Sequence, residues 1–148
     1  GSGVLYGCRT DNMTPAHLAR AAVEGATLGL AYGLQRFKEL GMEPSEVRLT
    51  GGGSQSPTWR QLAADAFGVP VVGLATAEGA GLGAAVQAAY AYFRSAGDEV
   101  SYEELCTLCV DLDPATKCEP DPERVKLYAE QLEQQMELTR TLNRAGLL

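Results

Sequence analysis

The first long amphipathic stretch of the chain opens at Thr14. A hydroxyl followed by Pro15 predicts a helix start, with an N-cap side chain and then proline at the first helical position. From there Leu18, Ala21, Ala22, Gly25, Leu28, Leu30, Leu34 and Phe37 recur at helical spacing. His17, Arg20, Glu24, Gln35, Arg36 and Lys38 fall mainly outside that face, and Gly41 predicts the stop. "EVRLT" at 46–50 has the apolar and β-branched content of a short strand. Three glycines follow it. Ser56 and Pro57 then repeat the capping pattern, and Trp59, Leu62, Ala63, Ala66 and Phe67 give the spacing of a core-facing helix. "GVPVVGLA" predicts a second buried strand, and residues 78–97 a small-residue helix.

Strands alternating with helices predict an α/β layer arrangement. Two strands make a poor sheet, so either a further strand lies near "GVLYG" or chain outside this sequence completes it. After Gly97 the pattern turns polar and proline-bearing. "SYEEL" opens a short helix continued by Leu105 and Leu108. The last helix carries Val125, Tyr128, Leu132, Met136 (or Gln135) and Leu142 on one side.

Composition adds limits. The 148 residues suit one domain of common size, with 45% apolar and 21% charged positions. The net charge of −7 argues against a nucleic-acid surface and against electrostatic attachment to anionic membranes. No apolar run is long enough for a membrane span, and the start has no signal-peptide pattern. Gly1 and Ser2 read as a cloning remnant, and the lack of an initiator Met suggests a piece of a longer chain. Cys106 and Cys109 form a C-x-x-C without the ligands of a zinc site, since the single histidine, His17, is remote. They read as reduced cytosolic thiols on a small helix.

The glycine run Gly51-Gly52-Gly53 is the strongest local signal. Glycine permits φ > 0 and lets a ligand touch the backbone. A helix N-terminus just downstream offers free N–H groups to an anion, and the carboxyl end of a strand is where open α/β sheets bind ligands. A tight strand-to-helix turn without ligand is the alternative. The run is not a P-loop, because no G-K-[ST] follows. The 79–84 stretch "GAGLGA" formally fits a dinucleotide fingerprint, but "ATAE" separates it from the strand, so close packing of a helix explains it better. Arg20 and Glu24 read as a helix-face ion pair. There is no catalytic triad, no evident aspartate dyad and no metal cluster in the sequence.

Taken in order, "HLARAAVEGATLGLAYGLQRFKELG", "RLTGGGSQSPTWRQLAADAFGVPVV" and "EGAGLGAAVQAAYAYF" resemble the C-terminal lobe of the FGGY carbohydrate kinases. The pattern L-T-G-G-G-x-x-S-x-x-W-x-Q-x-x-A-D carries most of the likeness, which covers residues 3–97 well and the last helix loosely. Members acting on pentuloses, D-xylulose first, look most similar. The resemblance implies a partial actin/Hsp70/hexokinase-like (ribonuclease H-like) ATPase lobe over residues 1–97. Residues 98–148 would be a polar connection and C-terminal helix of that lobe. It implies a cytoplasmic enzyme using ATP and Mg²⁺ to phosphorylate a sugar hydroxyl. Gly51, Gly52 and Gly53 would lie against the ribose and α-phosphate, and Ser56 would face the adenine or its ribose. Trp59 would be a core anchor and Asp65 a helix-end charge. No residue here is assigned to catalysis or to metal. The family's D-x-G-T phosphate loop, its catalytic aspartate and most of the sugar pocket match nothing in this chain, so the piece alone is expected to be inactive. A kinase for glycerol, gluconate, ribulose or fuculose, or a nucleotide-binding module without transferase activity, are the competing readings. The oligomeric state stays open, a homodimer included.

Overall fold

A computed structural model describes residues 3–147; the expected cloning remnant at Gly1 and Ser2 lies outside them. The described chain orders as α1 (Pro15–Glu39), β1 (Val47–Leu49), one 3₁₀ turn (Gly52–Gln55), α2 (Pro57–Phe67), β2 (Val71–Leu74), α3 (Gly79–Ala96), α4 (Tyr102–Cys109), β3 (Leu112–Cys118) and α5 (Pro122–Arg144). It forms two compact units, each drawing on chain from both sides of residue 97. One comprises the chain up to residue 44, residues 62–68 and the chain from 120 onward; the other comprises 45–61 and 69–119.

The first unit is helical. Thr14 caps α1 as expected, its Oγ1 accepting from the His17 N–H at 3.3 Å. The core joins Leu28 of α1, Leu62 of α2 and Tyr128 of α5, with Val23, Ala66 and Leu132 packed against it. The predicted stripe on α1 is covered in part only. Thr27, Leu28 and Ala31 are buried, whereas Leu30 is 61% exposed and Phe37 54% exposed. Asp65 is a charge near a helix end, two residues before the end of α2, and it is turned inward. It is buried at 1% exposure, accepts the Asp121 N–H at 2.9 Å and pairs with Arg124 at 3.4 Å. Asp121 itself caps α5 by accepting from the Glu123 and Arg124 N–H groups. The buried carboxylate therefore fixes where α5 begins.

The second unit holds a three-stranded sheet of order β1-β2-β3. β1 runs parallel to β2, Val47 opposite Val71 and Leu49 opposite Gly73. A parallel pair needs a crossover, which α2 supplies. The third strand is not near "GVLYG". It is β3, from the stretch expected to be a connection, and it runs antiparallel to β2. Its register breaks between Val71 and Gly73, so that Pro114–Lys117 bulge out opposite Val72. Proline is tolerated in such an edge strand. Thr116 repairs the break, its Oγ1 accepting the Gly73 N–H at 2.8 Å and donating to the Asp113 carbonyl at 2.6 Å. α4 starts with a capping box between Ser101 and Glu104, buries Leu105, and stacks Tyr102 on Tyr90 of α3 at 3.9 Å.

Candidate functional site

The site is built where β1 ends. Gly51 takes φ 87° and ψ −176°, a backbone region reserved almost wholly for glycine. The glycine loop expected between β1 and α2 is a tight turn. Ser54 directs both its N–H (3.1 Å) and its hydroxyl (2.7 Å) to the Gly51 carbonyl, which winds Gly52–Gln55 into a single 3₁₀ turn. Ser56 closes it and opens α2, its Oγ accepting the Trp59 N–H at 3.3 Å.

The three glycines answer to different demands. Gly51 needs its backbone angles. Gly53 lies beneath the Trp59 indole, where an added Cβ would stand 3.1 Å from the ring. Trp59 is thus half-buried over the turn as well as serving the helix. Gly52 is exposed, has no positive φ, and an added Cβ would meet no atom within 4 Å. Nothing inside the described chain requires glycine there. The open space above it is the feature that suits a ligand lying against the backbone.

The neighbouring α3 start is tied to the same place. Thr50 Oγ1 accepts the Gly79 N–H at 3.0 Å and donates to the Ala77 carbonyl at 3.2 Å, while the Gly51 N–H bonds Ala77 O at 3.1 Å. A Cβ at Gly79 would stand 2.8 Å from Thr50 Cβ, so Gly79 is required for packing. Gly81 and Gly83 have open space instead. Close packing thus accounts for the first glycine of "GAGLGA" and not for the other two.

A model of the FGGY family of carbohydrate kinases, C-terminal domain, matches residues 3–92. The chain belongs to the FGGY family of carbohydrate kinases. This FGGY chain is 40% identical over 124 residues to the xylulose kinase of Haemophilus influenzae, covering 84% of the chain and 24% of that protein. It is 41% identical over 78 residues to the L-fuculokinase of Escherichia coli K12, covering 52% of the chain and 16% of that protein. The crystal structure of xylulose kinase from Rhodospirillum rubrum superposes with a TM-score of 0.78 at 28% identity, covering 97% of the chain and 28% of that structure. The fold is therefore that of the C-terminal part of an actin/hexokinase-like sugar kinase. The chain spans about a quarter of the length of the first of these relatives and of the solved structure.

The remaining sequence candidates resolve as follows. Arg20 and Glu24 pair at 2.6 Å but are more than a helix-face pair. Arg20 also donates to the Tyr128 hydroxyl at 2.7 Å, which donates to Glu24 at 2.9 Å. Hydrogen bonding to Glu24 raises the Arg20 pKa, and burial raises that of Tyr128. Nothing in the sequence signalled this third member, 104 residues beyond Glu24. His17 sits in the α1 cap, its Nδ1 at 2.8 Å from Thr14 Oγ1. Cys106 and Cys109 are free and exposed on α4. Among the described residues no group of three or more His, Cys, Asp or Glu is placed to hold a metal ion, and no helix is long and apolar enough to cross a membrane.

Proposed function

We propose that this chain is the nucleotide-binding part of a cytoplasmic, ATP-dependent sugar kinase acting on a pentulose, with D-xylulose as the acceptor. Gly51, Gly52 and Gly53 would carry the ribose and α-phosphate, and Ser56 would border the adenine or its ribose. The observation that carries the reading is Gly52, an exposed glycine at the carboxyl end of β1 that no intramolecular contact explains. ATP supplies the phosphoryl group when bound, with Mg²⁺ as its counter-charge; no Mg²⁺ ligand is assigned to this chain. The residues here bind and orient. The φ of Gly51 and the two bonds from Ser54 fix the turn, and the Trp59 indole closes its underside, so the backbone meets the nucleoside without first having to be ordered.

The xylulose kinase relative supports the pentulose, and the L-fuculokinase relative favours a second reading in which another sugar or polyol is the acceptor. Both are tested on the full-length protein that carries this chain. The expected result is ADP release that depends on D-xylulose and exceeds that with L-fuculose, glycerol or gluconate. Preference for one of the others would transfer the assignment to that sugar. Absence of turnover with the whole panel, alongside retained ATP binding, would favour a nucleotide-binding module instead.

A further inference from the structure

Arg60 lies on the first turns of α2, and its guanidinium points back over the glycine turn. Nη1 donates to the Ser54 carbonyl at 2.6 Å, and Nε donates to the Thr116 carbonyl at 3.1 Å. Ser54 is itself buried, at 5% exposure, and both its N–H and its hydroxyl hold Gly51. Thr116 lies inside the β3 bulge, where the ladder is broken and its carbonyl also takes the Cys118 thiol at 3.5 Å. One planar cation therefore spans two carbonyls 62 residues apart in sequence, one on the turn and one on the bulge. A lysine ammonium is a point donor on a flexible stem and cannot present that fork.

We infer that Arg60 is a positioning residue for the nucleotide site, clamping the 3₁₀ turn of Gly52–Gln55 to the β3 bulge so that the Gly51 and Gly52 backbone is held in one place. The inference rests on the reading of that turn as the adenosine loop. Arg60 touches neither the nucleotide nor the sugar in this role; it acts through Ser54. A turn freed from this clamp has to be ordered again when the nucleotide binds, which weakens affinity.

The test uses the full-length protein carrying Arg60→Ala, Arg60→Lys or Gly52→Val, with Arg48→Ala as a control for loss of a surface arginine. ADP binding is measured by calorimetry, amide exchange is followed across residues 51–56, and KM is determined separately for ATP and sugar. The expected result is ADP binding weakened about tenfold by Arg60→Ala, the order of the cost of ordering a freed turn on binding. Exchange should rise over 51–56, ATP KM should rise and sugar KM should stay unchanged. Arg60→Lys should fall between wild type and Arg60→Ala, which keeps the inference open to test if the alanine variant does not fold. If the Arg60 variants lower the melting temperature while leaving ADP binding and 51–56 exchange unmoved, and Gly52→Val still weakens ADP, Arg60 is merely structural and the inference is overturned alone. If Gly52→Val leaves ADP binding unchanged, the adenosine-loop reading falls and this inference falls with it.

Discussion

Gly51, Gly52 and Gly53 are identical in sequence terms and differ in what substitution should do. Gly51→Ala places a Cβ in a backbone region almost closed to it, and a loss of about 1–3 kcal/mol of stability is expected in denaturant melts. Gly53→Ala presses on the Trp59 ring at 3.1 Å and should cost about 1–3 kcal/mol. Pairing it with Trp59→Leu should recover part of that loss, because the contact is then relieved; simple additivity of the two changes would show that the indole is not the obstacle. A Cβ at Gly52 meets no described atom within 4 Å, so the stability of Gly52→Val should move by less than about 1 kcal/mol while nucleotide binding by the full-length protein is lost. A Gly52→Val variant with an unchanged KM for ATP would remove Gly52 from the site. The sequence made the run of glycines visible but not this division. Gly53 is explained by an indole six residues on, and Gly51 by angles that only the folded backbone reveals.

Helix ends were legible because their signals are local. Thr14-Pro15 and Ser56-Pro57 each announce a start within two residues, and both starts are found where they were expected, as is the short helix opened by "SYEEL". β3 was not legible. Its seven residues, "LDPATKC", include a proline and show no alternation, because the strand lies at the edge of the sheet and a bulge breaks its period. The roles of Asp65 and Tyr128 were hidden for a different reason: their partners are 56 to 108 residues away. Two pH limits follow at this scale. Backbone and side-chain hydrogen bonds from Ser101 hold the Glu104 carboxyl below its ordinary value of 4.5. The capping of α4 is then fully present above that value and fades as pH falls through the lower folded-state pKa. A titration of the Ser101 amide shift should show this, and Glu104→Gln should abolish it. Burial, reinforced by the hydrogen bond to Glu24, raises the Tyr128 hydroxyl above 10.0. That contribution is complete below pH 10.0 and is lost as pH rises toward the folded-state pKa, because the unfolded chain ionises first. Tyr128→Phe should lower stability by about 1–2 kcal/mol at neutral pH and flatten this alkaline decline. An unchanged decline in thermal melts between pH 9 and 11, read as about one pH unit either side of the ordinary tyrosine value, would assign it to another group.

For the molecule as a whole, the decisive fact is how little of a kinase the chain represents. It spans 24% of the xylulose kinase of Haemophilus influenzae and 28% of the solved one from Rhodospirillum rubrum. Phosphoryl transfer needs a group to orient the acceptor hydroxyl, a cradle for the β- and γ-phosphates, and a metal between them. On the proposed reading the glycine turn would serve only the nucleoside end, and three of the carboxylates, Asp65, Glu24 and Glu104, are engaged with the α5 start, Tyr128 and Ser101. The 148 residues alone are therefore expected to transfer no phosphoryl group to D-xylulose or to a panel of polyols. They should bind ATP with Kd near millimolar rather than micromolar, a loss of about 4 kcal/mol against a complete site. The apolar side chains left open on and just after α1, Leu30, Phe37 and Leu40 at 61%, 54% and 75% exposure, give the isolated chain a surface that should self-associate. Sedimentation velocity over a concentration series should show this, and Leu30→Gln with Phe37→Gln should suppress it. A coupled ADP-release assay, run beside the full-length protein, decides the main point. Sugar-dependent turnover by these residues alone would place the catalytic groups within this chain and overturn its assignment to the nucleotide end of the enzyme.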